Sequence, residues 1–255
     1  MNCETIWISL AVNLAAGVII FLIGLFWPVI PKSYQKYQLR KFWGKGILGA
    51  DFIIAYGTLI DSRLTQPNPP PVRFVKRYHD GRSIGITGPW GNIVGDCEIR
   101  SSSYIINSIS SFRKNAITVA ADSECFANLN RTFVTLGSPA SNEISDLALR
   151  EPNNTFLRFD QDAKGAYILD IASNRQFRGF QLPIKQDYGL IVKIKNLRFP
   201  NHYFFVCAGL GEYGTSGATW YLVNYWQELK QSKEFGIVVE VELGSDGSAK
   251  KVFPV

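Results

Sequence analysis

The chain has 255 residues, 46% of them hydrophobic and 19% charged, with a formal net charge of +6. That balance excludes a disordered or collagenous chain and leaves room for one sizeable core. Four cysteines without CxxC spacing and two histidines, His79 and His202, exclude an ordinary zinc module, so no metal is expected. Much of the excess positive charge sits at Lys32, Lys36, Arg40, Lys41 and Lys45. The remainder is nearly balanced and carries no basic stripe, so neither a DNA nor an RNA duplex is an expected partner.

Residues 6–30 form an unbroken apolar run with no charged side chain. At about 1.5 Å per residue, such a helix spans a hydrocarbon core of about 30 Å. The preceding segment has no Lys or Arg, and the following one is rich in both. The positive-inside rule then places the N-terminus outside and the rest in the cytoplasm. A cleaved signal peptide fits less well, because a basic n-region is missing and the run is too long. The expectation is a single-pass protein of the cell inner membrane, with the lipid bilayer as partner. Its parts are an anchor at 1–31, a basic juxtamembrane linker at 32–49 and a cytoplasmic α/β ligand-binding domain at 50–255. Gly17 and Gly24, seven apart, suit close helix packing, so a homo-oligomer is expected.

Within the domain, residues 52–56 read as a buried strand. Residues 98–113 carry Ile105, Ile109 and Phe112 at helical spacing. Strands are predicted at 116–120 and 133–136. A helix follows at 141–150, with Ser141 or Asn142 as its cap. Three short β segments, 156–159, 166–169 and 177–182, read as an antiparallel insertion. Strands follow at 190–194 and 203–208. The next helix carries Ala218, Tyr221, Leu222, Tyr225 and Leu229 on one stripe. Alternation from Ile237 to Leu243 predicts an edge strand with one wet face. Alternating strands and helices, several strands being uniformly apolar, predict a mostly parallel, three-layer Rossmann-like sheet.

In such sheets ligands bind beyond the carboxyl ends of the strands. Three strand ends carry small polar residues and glycines. One is 209–218, with Gly209, Gly211, Gly214, Thr215 and Ser216 opening a helix, where backbone amides favour an anion. Another is 137–143, with Gly137, Ser138, Ser141 and Asn142. The third is Gly57 and Thr58 after the first strand. Each doubles as an ordinary turn or cap. The glycine-rich stretch 85–98 is a candidate flap, with Trp90 able to stack on a base. Glu98 and Glu143 are the candidate acids if the domain hydrolyses anything, although acids at helix starts are also favoured by the dipole. No G-x-S-x-G elbow, P-loop lysine or HExxH is present.

This order of elements, carried by residues 133–143 and 203–218, resembles the Rossmann-like nucleotide-sensing domains of prokaryotic defence and signalling proteins, the SLOG, CARF and TIR-like groups. The resemblance implies ligand sensing, here of a nucleotide or cyclic oligonucleotide; no cofactor is expected. The function expected is a membrane sensor in antiviral defence or signalling, whose domain binds a nucleotide-type anionic ligand and alters helix association. The alternatives are a tethered nucleotide or nucleoside hydrolase, glycohydrolase-like, and a non-catalytic scaffold.

Overall fold

In this computed structural model, residues 29–60, 72–77, 83–88, 92–113, 115–179, 186–242 and 248–255 are described. The first element is helix α1 (Val29–Trp43), followed by a 3₁₀ turn at Lys45–Leu48. Strand β1 is Phe52–Tyr56. Two small antiparallel pairs come next. Strand β2 (Leu59–Ile60) pairs with β5 (Asn92–Ile93), and β3 (Val72–Arg77) pairs with β4 (Ser83–Gly88). Helix α2 (Asp96–Ile109) leads to β6 (Thr118–Ala121), a single turn α3 (Asp122–Cys125) and β7 (Thr132–Leu136). Helix α4 is Glu143–Leu149. The predicted insertion is a three-stranded antiparallel sheet of β8 (Leu157–Asp162), β9 (Gly165–Asp170) and β10 (Gln176–Phe177). Strands β11 (Gln186–Lys195) and β12 (Tyr203–Gly209), helix α5 (Glu212–Leu229), and strands β13 (Phe235–Glu242) and β14 (Ala249–Pro254) complete the chain.

The central sheet has seven strands in the order β14-β13-β11-β12-β7-β1-β6. From β6 to β12 the neighbours are parallel; from β12 to β14 they are antiparallel. The sheet is therefore mixed, and the mostly parallel expectation is corrected. Uniformly apolar strands were its basis, but apolarity reports only that both faces are covered. Here the short turn 196–202 joins β11 to β12, and parallel neighbours need a longer crossover. The α/β architecture with a mixed sheet still fits a Rossmann-like description.

Alternation divides each strand between two cores. Phe52 and Ile54 of β1 face a cluster with Ile105 and Ile109 of α2 and Ala218, Leu222 and Trp226 of α5. Ile53 and Ala55 face the opposite cluster with Ile144 and Ala148 of α4 and Leu157 and Ile168 of the small sheet. The stripe read on α5 is rotated slightly. Ala218 and Leu222 are buried, but Tyr225 is exposed and Trp226 takes its place. Strand β13 is also no edge: β14 covers it, and Glu240, read as a wet residue, is buried among Gln186, Tyr188 and Lys251.

The membrane reading is corrected as well. Among the described residues, no helix is long and apolar enough to cross a membrane. The apolar run that motivated it lies outside the described residues, except for Val29 and Ile30 at the start of α1. The single-pass inner-membrane placement with a cytoplasmic domain therefore does not stand. The basic stretch after the run, counted for orientation, is not a free linker. Lys32, Lys36, Arg40 and Lys41 lie on α1, while Leu39, Phe42 and Trp43 of the same helix are buried in the first core. The ring of Phe42 lies 5.1 Å from Trp43, 5.5 Å from Phe205 and 5.7 Å from Trp226.

Lys193 on β11 is the charge that this packing encloses. Its Nζ lies 4.5 Å from the Phe42 ring centroid and 5.0 Å from that of Tyr203, and donates to the Ser232 carbonyl at 3.3 Å. Cation–π attraction compensates part of its lost hydration. Burial still pulls its pKa down to about 8, against an ordinary 10.5. The fold therefore favours the neutral amine. Stability is expected to rise between pH 8 and about 10.5, and to be lower once pH falls below 8. Denaturation midpoints measured across that window should show the rise. Lys193→Met should flatten it.

Candidate functional site

Strands β1, β7 and β12 are adjacent and parallel, so their carboxyl ends open on one side of the sheet. The chain leaves β1 towards β6 on one side and returns to β7 on the other. Such reversals leave a crevice between loops that diverge. A cleft of about 230 Å³ lies there, lined by Gly57 after β1, by Gly137, Ser138 and Ser141 after β7, and by Gly209, Gly211 and Thr215 after β12. Three loops read separately in the sequence thus meet at one place.

The fourth wall is the start of α2, with Gly95 and Glu98. Glu98 is 5% exposed, and its Oε2 has no hydrogen-bond partner. Its carboxylate is inserted between two glycines. A Cβ on Gly95 would lie 2.3 Å from Oε2, and one on Gly137 would lie 2.9 Å from Oε1. Gly137 also has φ +102, a conformation that L side chains rarely adopt. Ser141 Oγ would be 2.9 Å from the same Gly137 Cβ, so a hydroxyl and the carboxylate converge there. Burial pushes the Glu98 pKa up, the negative Glu212 and Asp122 add to this, and the Gly95 and Glu98 amides partly oppose it. Cys97 beside it is pushed up to about 12, chiefly by burial and then by Glu98 and Glu212. It is a thiol at neutral pH and a poor nucleophile.

Comparison of the chain with protein-family models, curated proteins and solved structures finds no match.

Other residues singled out in the sequence hold the loops instead of lining the cleft. Asn142 is 1% exposed, donates from Nδ2 to the carbonyls of Ala55 (3.0 Å) and Leu136 (2.8 Å), and accepts from the amides of Ile144 and Ser145. It is the cap of α4 and the clamp between β1 and β7. Thr58 donates to Asp122 Oδ1, and the Glu143 amide donates to Asp122 Oδ2. The Glu143 side chain itself is exposed and away from the cleft lining. Gly214 lets α5 approach β11, since a Cβ there would lie 2.3 Å from the Tyr188 carbonyl oxygen. Ser216 is fully buried within α5.

The sequence reading missed Asp187, at the start of β11. It is fully buried and accepts from the amides of Tyr188, Gly211 and Gly214. Burial raises its pKa, while those three amides oppose the rise. These bonds occupy helix-start amides that an anionic ligand would have used. Glu212, Leu210 and Cys97 were also missed as lining residues. Among the described residues, the charged side chains lining the cleft are therefore Glu98 and Glu212, both acidic. Trp90 and His79 lie outside the described residues. Part of the expected flap is strand: Ser83–Gly88 pairs with Val72–Arg77.

Proposed function

We propose that the domain binds a nucleoside- or nucleotide-type small molecule in this cleft, with its sugar hydroxyls facing Glu98. The observation that carries this reading is the buried Glu98 carboxylate with one unpartnered oxygen. Burying a polar atom unpaired costs about 1–3 kcal/mol, more for a charge. That oxygen is shielded from solvent against Gly95, so a turn of the carboxylate towards the cleft would present it to a ligand hydroxyl, and the new hydrogen bond would recover much of that cost. Ser138 and Ser141 add hydroxyls, and the glycines allow close approach by the ligand. The acidic lining supports a neutral polyhydroxyl group at Glu98, with any phosphate held away from it.

The test is thermal denaturation of the full-length chain with adenosine, guanosine, cytidine, uridine and their 5′-phosphates. At least one is expected to raise the midpoint in a saturable way. Gly95→Ala is a sharp control. Gly95 has φ −69 and ψ 145, which alanine adopts freely, but its new methyl group would displace Oε2 of Glu98. The variant should fold, with a measurable loss of stability from moving the wedged carboxylate, and lose the ligand shift. No shift with any of these compounds, or a shift intact in Gly95→Ala, overturns the reading.

A second reading is hydrolysis of a glycosidic bond, with Glu98 as acid/base. It is favoured by the raised pKa, because a carboxyl tuned towards neutrality can transfer a proton to a leaving group. Release of free base from a nucleoside, lost in Glu98→Gln, would support it.

A further inference from the structure

A second chamber, of about 450 Å³, opens beside the Glu98 cleft between residues 138–140 and the β8–β9 hairpin. The two share Ser138, Gly209 and Leu210 as walls, so they adjoin. The Glu98 cleft alone, about 230 Å³, is smaller than usual ligand sites of about 300–1,000 Å³. Joined to its neighbour, it falls within that range.

The walls of the second chamber differ in chemistry from those of the first. Phe159 and Leu210 offer apolar surface, and both pack partly into the second core, which fixes their positions. Asp160 and Gln161 follow Phe159 on β8. The Asp160 carboxylate is steadied by Arg158 at 3.1 Å and by the Gln161 amide at 2.8 Å. The Gln161 side chain carries both a donor and an acceptor. An aromatic face beside mixed hydrogen-bonding groups matches a flat heterocycle with a polar edge.

We infer that this chamber seats the planar base of a nucleoside-type ligand, with Phe159 as the stacking surface and Gln161 reading the base edge. The inference rests on the sugar-binding reading of Glu98. It adds that the ligand has two parts and that Phe159 supplies affinity for its base.

The experiment measures binding of adenosine, guanosine, cytidine and uridine, and of methyl β-D-ribofuranoside, to the full-length chain by calorimetry. At least one nucleoside should bind about tenfold or more tighter than the methyl riboside, which lacks a base. Phe159→Ala should weaken that nucleoside about tenfold and leave the methyl riboside within twofold. Phe159→Leu keeps apolar bulk and should give the same selective loss, which guards against a folding defect in the alanine variant. Glu98→Gln should weaken both ligands. If the nucleoside is no tighter than the methyl riboside, or is indifferent to both Phe159 substitutions, the base subsite is overturned while the Glu98 reading stands. If neither compound class binds, both fail.

Discussion

Asn142→Ala is expected to cost about 3–5 kcal/mol, the largest loss from any single substitution considered for this protein. The side chain makes four hydrogen bonds in a site that is 1% exposed. Losing the cap of α4 costs about 1 kcal/mol. The carbonyls of Ala55 and Leu136 would also lose this donor inside the protein, at about 1–3 kcal/mol each. The contributions overlap, so their full sum is an upper bound. At about 2–4 °C per kcal/mol for a chain of this size, the melting midpoint should fall by roughly 6–20 °C. Asn142→Asp separates the two roles. It keeps the capping oxygen but turns an oxygen towards two carbonyls, so at pH 7 it should be no better than alanine. A loss below about 1 kcal/mol for the alanine variant would contradict the clamp. The same substitution should loosen Gly57 and Gly137 together, because Asn142 ties the ends of β1 and β7.

Glu98→Gln is expected to act in opposite directions on stability and on binding. The folded state disfavours the charged carboxylate, so the pKa is raised from its ordinary 4.5. For a raised pKa, the favourable contribution is complete below the unfolded value and is lost as pH rises through the folded one. At pH 7 the wild type therefore carries a penalty that glutamine removes. The ligand-free variant should be more stable by about 1 kcal/mol, allowing for water at the open side of the cleft. That gain should shrink as pH falls below 4.5, where the unfolded state takes up the proton as well. Asp187 is raised in the same direction, so the comparison must be variant against wild type at each pH, where its contribution cancels. A hydrogen bond to a charged group contributes about 1.5–3 kcal/mol, so nucleoside affinity should fall about tenfold to a hundredfold. A variant that is less stable at pH 7 and binds normally would show Glu98 to be structural.

The cleft-lining loops carry local signals in the sequence, whereas the strand directions do not. Gly57, Gly137, Ser138, Ser141, Gly209, Gly211 and Thr215 were all marked from local patterns, and all line the cleft. They were legible because a strand followed by glycine and small polar residues and then a helix is a local signal. Glu98 was named, but with Glu143 as its equal. Both are acids at helix starts, and only the packing of α2 against the β7 loop distinguishes them.

The sequence by itself determined the alternation of strands and helices, the three-stranded insertion and the three loops at strand ends. Each depends on neighbours within a few residues. Only the tertiary structure decided which strands run parallel, that β14 covers β13, and that α1 packs its Leu39, Phe42 and Trp43 into the domain. It also decided that Gly214 serves packing against Tyr188 while Gly137 makes room for a carboxylate. Those outcomes depend on pairings between residues distant in the chain, whose partners no local pattern specifies.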